Sequence, residues 1–219
     1  AVTAFKRQSG AAAGGGPLLQ AFKRAPQEKK PLFYSIVSGV GLKPALKEVA
    51  GAYDGGSEAV KKEAITALSN WKGGEAATEA YDVLKKAAGT SLETDAFNGF
   101  LRQVAASPAT KDLKLIMLRN AMEYAKTDQQ KRSVLRQVAG CNTFPAFLYA
   151  SSFMDNASLK TDAASAVINI ALSNNEIFGK DVAARLENAL GNLSGAEADY
   201  QKAPVKSHMS ALPSGNDFV

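Results

Sequence analysis

The chain has 219 residues, of which 46% are hydrophobic and 21% are charged, and these proportions are typical of a globular protein. It contains no run of about 18 apolar residues, which a membrane-spanning helix would need. The single cysteine, Cys141, excludes an internal disulfide framework, and we interpret it as a small buried residue.

Positive charge is concentrated near the N-terminus. Residues 1–50 contain eight Lys/Arg and two Asp/Glu, whereas residues 51–219 contain 18 and 19. Such a basic segment could attract phosphate or an anionic surface, but a solvated lysine-rich face is the favoured interpretation. A groove for nucleic acid would place Lys/Arg in every repeat, so the distribution argues against nucleic acid as a partner.

The first predicted helices lie on either side of a glycine-rich break. The tetrapeptide Ala-Phe-Lys-Arg at 4–7 recurs at 21–24, a spacing of 17 that suggests successive helices, with glycines at 14–16 between them. Segments 31–38 and 44–53 predict the next helix pair. Because the chain starts with Ala and shows no polar capping helix, we expect that it begins inside a repeat of a longer parent protein.

The clearest organising feature is an internal repeat. The pentapeptide Leu101-Arg102-Gln103-Val104-Ala105 recurs unchanged 34 residues later, at 135–139. Related segments start at Ile65 and Val167, and each carries apolar residues at its first and fourth positions, the spacing of one helix face. A period between about 20 and 50 residues indicates a solenoid or array.

A second set of helices alternates with these segments. We predict them at 76–88, 111–125, 145–154 and 181–190, so that each repeat is a helix–turn–helix unit. Capping boxes are predicted at 90–93, 127–130 and 194–197. A last helix at 198–212 is expected to be interrupted by Pro204, and 213–219 is predicted to be a linker toward a further domain.

These helix pairs resemble HEAT repeats and the wider armadillo-like group. The resemblance implies an all-α fold, specifically an α-α superhelix: a HEAT-like solenoid of about five to six helix pairs spanning one domain, 1–212. It carries no information on activity.

The C-terminal end resembles a junction found in Bacteroides-type secreted proteins. There, a helical-repeat region precedes a β-sandwich domain of the 3-keto-disaccharide hydrolase family. The residues that carry the resemblance are Ala198-Asp199-Tyr200-Gln201, Val205-Lys206-Ser207-His208, Leu212-Pro213 and Asp217-Phe218-Val219. It implies a periplasmic or cell-surface exported protein that processes glycans. The family's Asn-Gly-Lys-Asp-Leu-type motif is not in this chain, so no hydrolase residue can be assigned here.

Catalytic and metal-binding signals are sparse. The only histidine, His208, lies 67 residues from Cys141, which does not fit the close spacing of a His/Cys metal site. Phosphate-loop, dinucleotide-binding and nucleophile-elbow motifs do not occur. We therefore predict no catalytic residue, no metal and no cofactor for this chain, while the activity of the parent protein stays open.

Three residues are candidates for a partner-binding face. Trp71 could stack on a sugar ring or a base, although burial against the next layer is favoured. Arg102 and Arg136 occupy equivalent repeat positions and could bind carboxylate or phosphate. Pairing with Asp or Glu of neighbouring repeats is the favoured alternative.

The sequence thus predicts a non-catalytic scaffold or binding module within a larger exported glycan-processing protein. Its partner would be the C-terminal β-domain of the same parent chain or another protein, and carbohydrate is a further candidate ligand. The alternatives are a nucleic-acid-binding helical-repeat protein, including a DNA glycosylase-like enzyme, and an enzyme that uses acidic residues on the concave face.

Overall fold

A computed structural model describes residues 15–211, with the exception of the side chain of Glu197. Twelve α-helices and no strands occur within these residues. They fall into two compact units that meet in sequence at Pro108 and Ala109. The first unit contains α1 Gly15–Arg24, α2 Pro31–Val40, α3 Leu46–Gly55, α4 Glu58–Ser69, α5 Ala77–Ala87 and α6 Glu93–Ala106. The second contains α7 Lys111–Glu123, α8 Asp128–Ala139, α9 Phe144–Ser151, α10 Lys160–Leu172, α11 Lys180–Asn192 and α12 Gly195–Ala211.

In the first unit, alternate helices pack on one another. α4 lies against both α2 and α6, while α3 contacts α5, and the pairs α3–α4 and α5–α6 connect the two sets. Amphipathic spacing explains this arrangement, since each helix buries one stripe of apolar side chains. The largest buried side chains of this unit are Phe22, Tyr34, Leu68, Trp71, Leu84, Phe97 and Phe100.

The second unit repeats this pattern. α10 lies against α8 and α12, α7 contacts α9, and α10 also packs on α9 and α11. Its core includes Leu118, Leu135, Phe147, Leu159 and Ile168, all almost fully buried.

The all-α prediction is confirmed for residues 15–211, and the repeat segments lie on helices as expected. They fall in α4, α6, α8 and α10. Their first and fourth positions are buried in every copy: Ile65 and Leu68, Leu101 and Val104, Leu135 and Val138, Val167 and Ile170. The repeated pattern is therefore a packing pattern. The superhelical arrangement of the pairs stays a prediction.

Of the three predicted capping boxes, one is confirmed, one is wrong and one lies partly outside the described residues. The capping box at Thr127 is confirmed, because its Oγ1 accepts from the Gln130 amide (3.2 Å) and the Gln130 Oε1 accepts from the Thr127 amide (3.0 Å). The box predicted at 90–93 is wrong. Leu92 is the N-cap there, and Thr90 instead donates to the Ala87 carbonyl (2.7 Å) and so closes the turn after α5. The predicted box at 194–197 includes a side chain outside the described part of the chain.

Pro204 does not interrupt the last helix, contrary to expectation. α12 continues from Gly195 to Ala211 through Pro204. A proline inside a helix removes the hydrogen bond to the carbonyl four residues earlier, here that of Tyr200. Tyr200 is 76% exposed, so water can reach this part of the helix and the loss is smaller than in a core. The first copy of the tetrapeptide, 4–7, and the predicted linker, 213–219, lie outside the described residues.

α4 and α6 approach each other closely at a glycine. A Cβ built on Gly99 would overlap the hydroxyl oxygen of Ser69. That hydroxyl donates to the Ile65 carbonyl within α4 (2.8 Å), so it cannot simply turn away without losing a bond. The small residue at 99 thus permits the close packing of successive repeats.

Candidate functional site

The repeated pentapeptide contains a buried polar connector that the sequence reasoning missed. Gln103 is 1% exposed. Its Nε2 donates to the carbonyls of Ser69 and Trp71 (both 3.1 Å), and its Oε1 accepts from the Ala76 amide (3.2 Å). One amide side chain on α6 therefore satisfies the backbone between the end of α4 and the start of α5. The sequence has Gln at this position in both copies of the pentapeptide, but the three bonds described here belong to Gln103.

The two repeat arginines do not form the expected ion pairs. Arg102 donates to the side-chain oxygen of Asn70 (2.8 Å), just beyond the end of α4. Arg136 donates to the hydroxyl of Ser133 (3.1 Å) on its own helix. Neither guanidinium pairs with a carboxylate of the described residues. Both are exposed, so hydrogen bonds of this kind contribute little to stability.

The ion pair between α8 and α10 involves a different arginine. Arg132 lies one turn before Arg136, and its Nε is 3.3 Å from Asp162 Oδ2. Its Nη2 also donates to the carbonyl of Ser158 (2.9 Å). An ion pair between successive repeats was expected for the pentapeptide arginine. It is formed instead by the arginine four residues earlier.

Trp71 lies in the core of the first unit. Its side chain is 2% exposed, which leaves no face of the ring for a sugar or a base. Its indole Nε1 is buried and has no hydrogen-bond partner among the described residues. The ring therefore packs between layers, and its carbonyl receives the Gln103 amide. The structure brings Trp71 and the α6 segment together, but as core rather than as a surface.

A concave surface lies in the second unit, between α9 and the start of α11. This groove has a volume of about 680 Å³, within the usual range of ligand pockets. Its lining consists of Phe144, Leu148, Phe178, Gly179, Lys180, Asp181, Val182 and Arg185. Four of these side chains are apolar, and three are charged. We refer to it as the α9–α11 groove.

Local sequence positions each wall of the groove. Thr143 accepts from the Ala146 amide (3.4 Å) and starts α9, so that Phe144 is its first residue. The Phe144 ring stacks on Phe147, with centroids 6.1 Å apart, and Phe147 is fully buried. Leu148, one turn after Phe144, is 36% exposed. A buried anchor therefore supports an accessible apolar wall.

The opposite wall is built around a glycine. Ile177 is fully buried and holds the loop before α11, and its carbonyl lies 3.3 Å from His208 Nε2 of α12. Gly179 then has φ 113°, a conformation that favours glycine, and the chain enters α11 at Lys180. Phe178 and Val182 flank this entry. His208, the only histidine, thus contacts the backbone of the loop.

The charges of the groove do not cancel. Arg185 Nε donates to Asp181 Oδ2 one turn earlier (2.9 Å), so these two groups pair. Lys180 is exposed and forms no ion pair with the described residues. A cation in the first turn of a helix is disfavoured by the helix dipole, so this position does not stabilise α11. The lining thus carries one uncompensated positive charge.

Further apolar side chains are exposed on the second unit. Leu113 and Ile116 of α7 are 51% and 52% exposed, and α7 packs on α9, which carries Leu148. On the first unit, Leu32 of α2 is 74% exposed. Single exposed apolar residues are ordinary, and neither Leu113 nor Ile116 is among the residues that line the groove.

Two partly buried side chains of the second unit, Cys141 and Tyr149, have raised pKa values. Burial raises the pKa of the Cys141 thiol, although Lys114 and Lys111 act in the opposite direction. Burial also raises the pKa of Tyr149, which the Arg119 guanidinium faces at 5.5 Å from the ring centroid. A raised thiol pKa disfavours the thiolate that a nucleophile requires.

Residues 15–211 contain no cluster of three or more His, Cys, Asp or Glu side chains that could hold a metal ion. None of the helices described is long and apolar enough to cross a membrane. No known protein-family model matches the chain, and neither a curated protein nor a solved structure matches it.

Proposed function

We propose that this chain is a non-catalytic helical-repeat module that binds a segment of another protein in the α9–α11 groove. The observation that carries the proposal is the groove itself, with about 680 Å³ and the apolar side chains of Phe144, Leu148, Phe178 and Val182. Apolar grooves between helices are a common way to bind peptides, because a few anchoring side chains bury their surface there.

The module is proposed to form a HEAT-like superhelix. Two observations support this arrangement: alternate helices pack on one another within each unit, and the apolar repeat positions are buried in all four copies. Solution scattering tests the arrangement, because a superhelix gives an elongated particle with a radius of gyration above the value of about 17 Å expected for a compact domain of this length.

The larger context is a separate proposal. The resemblance at 198–219 supports an N-terminal position within an exported glycan-processing protein, whose β-domain or a second protein would be the partner. The sequence of the native gene product after Val219 tests it. A following β-sandwich domain supports the proposal, whereas a stop codon at that point removes its support.

The groove proposal is tested by selection of peptides from an unbiased displayed library on the complete chain. We expect selected peptides to bind with micromolar affinity. The substitution Leu148→Asp should weaken that affinity at least about tenfold, because a carboxylate then occupies the apolar wall. The matched control is Leu32→Asp, an equally polar change at a more exposed site of the first unit. Peptides that bind both variants like the unmodified protein would refute the groove as the site.

A further inference from the structure

We propose that the occupant of the α9–α11 groove is a peptide segment in which an aromatic or aliphatic anchor lies next to a carboxylate. This inference rests on the proposed function and adds the chemical class of the partner. It follows from the combination of an apolar lining with an unpaired cation, and either feature alone would select a different ligand.

The apolar part of the lining indicates which kind of peptide side chain would serve as the anchor. Phe144 and Leu148 come from α9, and Phe178 and Val182 come from the entry to α11. Val182 is 3% exposed and Leu148 is 36% exposed, so the lining runs from buried to accessible. A side chain of the size of Phe or Leu gains most from such a site, because the free energy of burial scales with the apolar area removed from water.

The charged part of the lining indicates which charge the peptide carries next to its anchoring side chain. Arg185 already pairs with Asp181, which leaves Lys180 as the cation without an ionic partner among the described residues. Lys180 is itself one of the residues that line the groove, so its charge lies at the same surface as the apolar side chains. A carboxylate beside the anchor would complement this charge, whereas a cation there would be repelled.

The charge also separates the candidate occupants. An uncharged apolar segment would leave Lys180 unpaired, and its binding affinity would not depend on salt. A basic segment would meet the net positive charge of the lining. An acidic segment alone would bind weakly, because exposed ion pairs contribute little without the apolar anchor.

The test uses the complete chain and three fluorescein-labelled peptide pools, measured by fluorescence anisotropy. Each pool has two central positions drawn from Phe, Leu, Ile and Trp, flanked on both sides by two Asp, two Asn or two Lys. We expect the Asp pool to bind about three- to tenfold more tightly than the Asn pool at 50 mM salt, with the Lys pool weakest. The preference should shrink at 500 mM salt.

Charge reversal at one residue provides the decisive comparison. Lys180→Glu should invert the preference between the Asp and Lys pools. The matched control is Lys160→Glu, which changes the first residue of another helix of the same unit, outside the groove lining. The control should keep the original preference, and circular dichroism of both variants should match that of the unmodified chain.

The outcomes separate the two proposals. Equal binding of the Asp and Asn pools, lost on Leu148→Asp, would overturn the acidic partner and leave the groove as a protein-binding site. Binding of no pool would overturn both. Self-association of the chain that Leu148→Asp abolishes would also overturn the inference, because the occupant would then be a second copy.

Discussion

Gln103 provides the sharpest test of how the repeats are held together. The perturbation is Gln103→Leu, which keeps the approximate volume of the side chain and removes all three of its hydrogen bonds. The Trp71 carbonyl also accepts from the Gly74 amide (3.5 Å), so it keeps a weak donor. The Ala76 amide loses its acceptor in a fully buried position.

The magnitude follows from these bonds. A buried donor without a partner costs about 1–3 kcal/mol, and each lost neutral hydrogen bond contributes about 0.5–1.5 kcal/mol. Because the leucine recovers some apolar burial, we expect a total loss of about 2–4 kcal/mol in the free energy of unfolding. For a chain of this length that corresponds to a melting temperature about 5–15 °C lower.

The assay is urea unfolding followed by tryptophan fluorescence. Trp71 is the only tryptophan and lies beside Gln103, so its emission reports on the first unit. The matched control is Arg102→Gln, the neighbouring position of the same pentapeptide, which loses an exposed hydrogen bond to Asn70 and should cost less than about 1 kcal/mol. If the two variants differ by less than about 0.5 kcal/mol, Gln103 is not a connector and the reasoning fails.

Three other outcomes are expected. Gly99→Ala should lower the free energy of unfolding by about 1–3 kcal/mol in urea titrations, because the added methyl group meets the Ser69 hydroxyl; Gly51→Ala, a helical site with open space around it, should be neutral or slightly stabilising. Equal effects at both sites would contradict the close approach. Thr127→Ala should cost about 1 kcal/mol through loss of the capping box, measured by thermal unfolding, and an unchanged melting temperature would show that this cap is dispensable. Burial raises the pKa of Cys141 above its ordinary value of 9.0, so its stabilising contribution is complete below that pH and falls as the pH rises further. The difference in unfolding free energy between the unmodified chain and Cys141→Ala should therefore shrink from pH 7 to pH 10 under reducing conditions, and a constant difference would refute the assignment.

The sequence predicted the helices well because helix formation depends on near neighbours. Apolar residues spaced by three or four positions specify which face each helix buries, and Leu101 and Val104 are inward in the structure as their spacing indicates. The capping box at Thr127 was also predictable, because all of its atoms lie within four residues. The box expected at 90–93 failed because Leu92 starts that helix and Thr90 finds a nearer acceptor in the preceding turn.

The candidate site was harder to predict from the sequence than the helices were. The groove combines Phe144 of α9 with Phe178 before α11, and these aromatics lie 34 residues apart, one repeat period. That offset was a usable signal, but it carried no indication that both rings line a surface rather than a core. Trp71 shows the converse, since an aromatic at a helix end proved to be buried.

By itself the sequence determined the all-α fold of residues 15–211, the period of the repeat segments and the inward face of their helices, because these follow from local spacing and side-chain polarity. Only the tertiary structure decided which polar group joins successive repeats and where apolar surface stays open. Gln103 illustrates the reason. The role of a polar side chain depends on which backbone or charged groups face it, and those groups come from helices distant in the chain.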